Sequence, residues 1–178
     1  MKNQIIKKED KIKALTPLNM LKRCIDIKTV ADVVKTDAMA LSQLRNDLGK
    51  DSLLALLELH IWSLNESMNL NNKLSEFQVQ EIATEILSIY YYLKVEDIYL
   101  IFRRAKRGEF GKVYGSLSMI DIFGWFEKYN EERTTYYINQ NIENRHNDPT
   151  ERTSEKDEKS YHIAKLIYVD KKNNKKNE

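Results

Sequence analysis

The chain has 178 residues, of which 42% are hydrophobic and 31% are charged, a balance typical of a globular protein rather than a disordered one. Its formal net charge is only +2, so overall charge does not by itself indicate a nucleic-acid-binding protein. Five Gly and two Pro are too few for the many turns of a strand-rich fold, which predicts an all-α protein. The single cysteine, Cys24, excludes an intrachain disulfide and fits the cytoplasm.

The start of the chain is basic and polar. Residues 1–14 hold five Lys against two acids, which predicts a flexible leader. Thr16 and Pro17 then mark a helix start, with Thr as the N-cap and Pro at the first helical position. No apolar run reaches the roughly 18 residues of a transmembrane helix, so we expect no membrane contact.

Residues 15–143 are predicted to form one compact multi-helix bundle. Leucines at helical spacing precede Gly49, the expected C-cap of one helix, and continue through the next, which should lie deep in the core. Ser75 and Ser118 are expected to begin two further long helices, and Gly108 to end the helix between them.

The composition changes from Asn144 onward. Residues 144–178 are charged and contain the helix-breaking Pro149, which predicts a mostly disordered tail. A short apolar island at 160–169 has two interpretations: it docks on the domain, or it folds on a partner.

No set of residues resembles a catalytic or metal site. His60, His146 and His162 have no second His or Cys three or four residues away, as a zinc site would need. Glu81 and Glu85 share a helix face, which is ordinary for a solvated helix. We therefore predict a protein that is not an enzyme and has no cofactor or metal; His60 is expected to be a hydrogen-bonded histidine of the core or its boundary.

The most distinctive segment is Arg103–Ser116, which holds five cations against one acid and three of the five glycines. At 100° per residue its helical cations fan over an arc of about 160°, opposite the apolar side chains. Glycines let backbone amides approach a partner, aromatic rings stack on bases, and cations meet phosphates. The predicted nucleic-acid or polyanion site comprises Arg103, Arg104, Lys106, Arg107, Phe110, Lys112 and Tyr114.

A second interpretation of this segment stays open. Cations in a last helical turn favour the negative end of the helix dipole, and the glycines suit a C-cap followed by a tight turn. The aromatic rings would then fold back into the core, and the cations would only solvate the helix end.

The aromatic run Tyr90-Tyr91-Tyr92 cannot all face one core, because three consecutive helical residues span 200°. At least one ring should reach solvent or another protein. Tyr91 and Trp125 are the candidate partner contacts.

The sequences around Trp62-Ser-Leu-Asn65, Lys106-Arg107-Gly108-Glu109-Phe110-Gly111 and Trp125-Phe126 resemble a group of small helical proteins from Bacteroidetes genomes and their phages or mobile elements. The resemblance covers about residues 15–135. It implies a bacterial host cytoplasm and a role in DNA replication or packaging or in a virion, and it assigns no functional residue.

Two functions follow as expectations. The first is a non-enzymatic accessory or interaction protein, associated with DNA or RNA in phage or mobile-element replication or packaging, with a replication protein as a partner. The alternative is a virion structural or scaffolding component, or another protein-binding module. An oligomer is compatible with both.

Overall fold

The computed structural model of the protein describes residues 2–68 and 70–147. Throughout this part of the chain the regular structure is helical, and β-pairing is limited to isolated bridges. The predicted all-α class is confirmed. Among the described helices, none combines the length and apolar character that a membrane span requires. The apolar island at 160–169 lies outside the described residues.

Short connections join the helices. The longest of them, residues 107–118, precedes the last helix. Their bounds are α1 (Lys2–Ala14), α2 (Pro17–Arg23), α3 (Val30–Val34), α4 (Leu41–Leu48), α5 (Lys50–Ser67), α6 (Glu76–Ile89), α7 (Val95–Lys106) and α8 (Met119–Asn147).

The chain divides into two compact units, residues 1–136 and 137–178. The first unit contains α1 to α7 and the first part of α8. The second unit is described only as far as 147, where α8 ends, beyond the boundary predicted at 143. The basic segment, Arg103–Ser116, lies in the first unit.

Residues 2–14 differ from the prediction of a flexible leader, because they form helix α1. The helix is held at its C-terminal end. Lys11 pairs with Asp47 of α4 at 2.5 Å, Ile12 packs against the core, and Leu15 directly after the helix is only 8% exposed. The prediction rested on the lysine content of this segment, whereas Ile12 and Leu15 anchor it to the core.

Helix α5 lies at the centre of the core, as its leucine content predicts. Buried residues occur on several of its sides, and it contacts α2, α4, α6 and α7. Its polar buried residues are satisfied. Asn65 accepts a hydrogen bond from the Leu74 amide at 3.0 Å and donates one to the Leu74 carbonyl at 3.2 Å, which fixes the connection to α6.

The expected helix starts are confirmed at three positions. Thr16 is the N-cap of α2, with Pro17 at the first helical position. Ser75 accepts a hydrogen bond from the Gln78 amide, and Ser118 accepts one from the Asp121 amide. The Ser75 and Ser118 side chains each satisfy a backbone N–H group that the first helical turn leaves without a partner, whereas the Thr16 side chain forms no cap hydrogen bond.

Helix α7 is anchored near its N-terminus by the buried carboxylate of Asp97. Asp97 is fully buried and accepts hydrogen bonds from the Tyr129 hydroxyl at 2.6 Å and the Lys94 amide at 2.7 Å. The Arg133 guanidinium lies 3.5 Å from the same carboxylate. Burial, followed by the negative charge of Asp97, raises the pKa of Tyr129 far above its ordinary value. This polar cluster joins α7 to α8.

Candidate nucleic-acid interface

The basic segment, Arg103–Ser116, begins on the last turns of α7. The apolar side of this helix is buried. Ile98, Phe102 and Ala105 are at most 4% exposed. The cations leave from the other side, as the helical projection predicts. They nevertheless divide into two groups with different surroundings.

Arg103 is used inside the protein. Its guanidinium donates hydrogen bonds to the carbonyls of Cys24 at 3.2 Å and Ile27 at 2.9 Å. These carbonyls belong to the chain just after α2, where a helix end leaves acceptors without partners. This intrachain role makes Arg103 a poor candidate for a polyanion contact, and its predicted contact with a nucleic acid stays a prediction.

Arg104 is also occupied. It donates to Glu109 at 2.8 Å and to Glu132 of α8 at 2.6 Å, and its side chain is only 18% exposed. The guanidinium carbon lies 5.0 Å from the centre of the Phe110 ring. Two carboxylates compensate its charge, which does not favour the predicted contact between Arg104 and a polyanion.

The aromatic ring of Phe110 fills the space between Arg104 and Trp125. Its centre lies 6.4 Å from that of Trp125, and the two rings are inclined by only 19°. Trp125 itself is 4% exposed. This packing does not favour the predicted roles of Phe110 in base stacking and of Trp125 in partner contact. Both rings belong to the packing between α8 and residues 108–115, which we call the glycine loop after Gly108, Gly111 and Gly115.

The remaining cations lie together and open to solvent. Lys106, Arg107 and Lys112 are exposed and line a cleft of about 320 Å³ between the end of α5 and the glycine loop. The lining of this cleft contains no acidic residue. We call these three residues and Tyr114 the basic cleft. Its remaining walls come from Ser67, Met68, Leu70, Ala105, Gly108, Gly111 and Val113.

The charges of the basic cleft are only weakly compensated. Arg107 lies 3.8 Å from Glu109, at the outer limit of an ion pair, and its side chain is 54% exposed. Burial, followed by repulsion from Arg103, lowers the pKa of Lys106. Tyr114 is 81% exposed. An anion bound here would relieve the repulsion between neighbouring cations.

The glycine loop needs glycine for its backbone conformation. Positive φ angles of 74°, 113° and 74° occur at Gly108, Gly111 and Gly115. Residues other than glycine rarely adopt such angles. A β-carbon at any of them would meet no atom within 4 Å. Lys128 of α8 donates to the Phe110 carbonyl at 2.9 Å and holds the loop against the bundle.

No group of three His, Cys, Asp or Glu side chains among the described residues could hold a metal ion. Burial lowers the pKa of His60 to about 4, and its Nε2 lies 2.7 Å from the Leu15 carbonyl, which confirms a hydrogen-bonded core histidine. Burial also raises the pKa of the Cys24 thiol to about 11, so Cys24 is protonated at neutral pH.

The tyrosine run lies in the connection after α6, which ends at Ile89, so the prediction that these three residues are helical is wrong. Tyr90 is 6% exposed, and the Tyr92 hydroxyl donates to Asn130 at 2.8 Å. Tyr91 is 53% exposed, which confirms that one of the three rings reaches solvent. Its role as a partner contact stays a prediction.

One family model matches residues 73–178, more than half of the chain, and its description is "Family of unknown function (DUF6633)". No curated protein and no solved structure matches the chain. The matched range contains α6, α7, the glycine loop and α8. The matched range therefore includes the four residues of the basic cleft, but it does not include the end of α5 that forms one of the walls.

Proposed function

Because the chain belongs to DUF6633, a family whose description names no activity, we propose its function from the basic cleft: it is a non-enzymatic protein that binds the phosphate backbone of nucleic acid. The observation that supports this proposal is the convergence of Lys106, Arg107 and Lys112 on one cleft whose lining has no carboxylate. Backbone contacts of this kind supply most of the affinity of sequence-independent binding.

The cleft suits a single strand better than a duplex. Tyr114 stands at its rim with 81% of its surface exposed, so its ring is available to an unpaired base. Stacking on an aromatic ring contributes about 1–3 kcal/mol per base and is open to every base. Bases inside a duplex are already stacked on one another and cannot use this surface without being unstacked. We therefore propose that single-stranded DNA or RNA is preferred.

Fluorescence anisotropy with labelled single-stranded and duplex oligonucleotides of one sequence tests the proposal. Three phosphate contacts on a single strand give a slope of about −2 for log K against log salt, at about 0.7 per contact. Arg107→Glu with Lys112→Glu should weaken binding at least tenfold at low salt. Tyr114→Ala should weaken binding to the single strand and leave duplex binding unchanged.

The matched control is Arg45→Glu with Lys50→Glu, which makes the same change in net charge. Both residues are exposed, and Lys50 begins α5, whose other end borders the cleft. At 1.5 Å per residue the 18 residues of α5 place the two ends about 26 Å apart. Equal losses in both double variants would mean that net charge alone is responsible. No salt-dependent binding by the unaltered protein would refute the proposal.

A role in phage or mobile-element replication or packaging, with a bacterial cytoplasmic setting and a replication protein as partner, stays part of this proposal. The alternative of a virion component or other protein-binding module is favoured by the exposed ring of Tyr91. Mass spectrometry of purified particles distinguishes the two, since a virion component would be found in them.

A further inference from the structure

A groove of about 480 Å³ lies between α2, α5 and α7. Its lining is mostly apolar, and three of the side chains in it are aromatic, namely Trp62, Tyr99 and Phe102. We call this cavity the aromatic groove. Sites for small organic groups typically have volumes of about 300–1,000 Å³ and combine apolar walls with a few polar groups. The aromatic groove has both properties.

Trp62 of α5 is the aromatic side chain of the groove that stays partly open to solvent. Within the described part of the chain its ring contacts no other aromatic ring, and its indole N–H donates no hydrogen bond. The second tryptophan of the chain differs, because Trp125 is buried and stacked with Phe110. Trp62 therefore offers a ring surface and a donor to a ligand in the groove.

A buried hydroxyl in the groove also has no partner. Tyr99 of α7 is only 8% exposed, yet its hydroxyl forms no hydrogen bond among residues 2–68 and 70–147. Polar groups in such buried side chains nearly always have a hydrogen-bond partner. A ligand with an acceptor in the groove would supply the missing one. The acid at the rim, Glu66, is already paired with Lys73 at 2.6 Å.

The aromatic groove adjoins the basic cleft. Lys106 lines both cavities, and it forms no ion pair in the part of the chain that the structure describes. Helix α5 also passes from one cavity to the other, because Glu66 lines the groove and the next residue, Ser67, lines the cleft. A strand whose phosphates contact the basic cleft therefore brings its neighbouring nucleotides to the groove.

We propose that the aromatic groove is a pocket for one unpaired nucleobase of the single strand whose phosphates contact the basic cleft. The base stacks on Trp62 and accepts a hydrogen bond from the Tyr99 hydroxyl, while Lys106 contacts the adjoining phosphate. This inference rests on the proposed function and deepens it. Every base has a π-face, so the pocket accepts a base without selecting a sequence. A duplex cannot fill the pocket without unpairing a base.

Tryptophan fluorescence tests the pocket, because a base stacked on an indole ring quenches its emission. Trp125→Phe leaves Trp62 as the only tryptophan of the chain. A single-stranded oligothymidylate should quench the emission of this variant. An abasic strand of the same length has the phosphates without the bases, so it should bind the cleft and leave the emission unchanged. The anisotropy of end-labelled strands measures binding separately, and circular dichroism checks that each variant is folded.

Substitutions at Trp62 measure what the stacked base contributes. Trp62→Leu should weaken binding of the oligothymidylate about tenfold and leave binding of the abasic strand unchanged. Trp62→Phe keeps an aromatic ring and should retain most of the affinity. The matched control is Tyr91→Leu, which removes a 53% exposed ring that lines neither cavity. This control should change neither affinity.

The outcomes separate the pocket from the proposed function. If the oligothymidylate binds with salt dependence but leaves the Trp62 emission unchanged, the pocket is overturned and phosphate binding stands. Equal losses for the two strands in Trp62→Leu, or an equal loss in Tyr91→Leu, would also overturn the pocket alone. If neither strand binds the unaltered protein, both proposals are overturned.

Discussion

The cations of the basic segment fall into two groups with opposite surroundings. Arg103 and Arg104 are surrounded by acceptors from the same chain, namely backbone carbonyls after α2 and two carboxylates. Arg107 and Lys112 lie a few residues further on and face a cleft without acids. A cation in the sequence is therefore available to a partner only where the fold supplies no acceptor of its own.

This difference has a simple physical origin. An arginine that binds buried or half-buried acceptors stabilises the fold, and its removal leaves those acceptors without partners. An exposed cation contributes little to stability and can exchange water for phosphate. Substitutions in the first group should change folding, and substitutions in the second group should change binding.

The largest expected effect is a loss of folding stability at low pH, caused by the buried His60. His60 has a pKa of about 4 in the folded protein, against an ordinary value of 6.5. The unfolded chain therefore binds its proton first, and stability falls as pH drops from 6.5 to about 4. The full shift corresponds to about 3 kcal/mol. Urea unfolding at several pH values checks this, and His60→Gln should remove this part of the pH dependence. If His60→Gln leaves the pH dependence of the free energy of unfolding unchanged, this prediction is wrong.

Arg103→Ala should have the next largest effect. The substitution removes charge-assisted hydrogen bonds to two carbonyls after α2 and should lower the free energy of unfolding by about 2 kcal/mol. The urea midpoint measures the change. An Arg103 variant of unaltered stability that fails to bind oligonucleotide would break the distinction between the two groups.

Arg104→Ala should cost less. Its ion-pair partners are 40% and 44% exposed, so solvent screens both interactions, and we expect a loss of about 1 kcal/mol. Thermal unfolding checks this value. Oligonucleotide affinity should stay within the error of the unaltered protein, and a tenfold loss would place Arg104 in the binding surface.

The smallest effect on stability is expected for Lys112→Ala. Its side chain is exposed and forms no ion pair among the described residues, so the urea midpoint should not move. The slope of log K against log salt should fall by about 0.7, the contribution of one single-strand phosphate contact. If the urea midpoint of Lys112→Ala shifts while the slope of log K against log salt stays unchanged, Lys112 belongs to the residues that stabilise the fold and not to those that bind.

Sequence patterns predicted the helices well where the physics is local. Ser75 and Ser118 cap helices because their oxygens lie within reach of amides in the same turn, and Thr16 precedes a proline that favours the first helical position. The arc of cations on α7 also followed from helical periodicity. The partners of those cations did not, because Cys24 and Glu132 are distant in sequence and meet α7 only after folding.

The most direct test of the central claim uses the glycine amides as reporters in a nuclear magnetic resonance titration with a single-stranded oligonucleotide. Gly108 and Gly111 line the basic cleft, whereas Gly49 precedes α5 at its far end. We expect salt-sensitive shifts at the Gly108 and Gly111 amides and none at Gly49. Shifts of similar size at all three amides, or none at the cleft, would contradict the claim that the open cations form the binding surface.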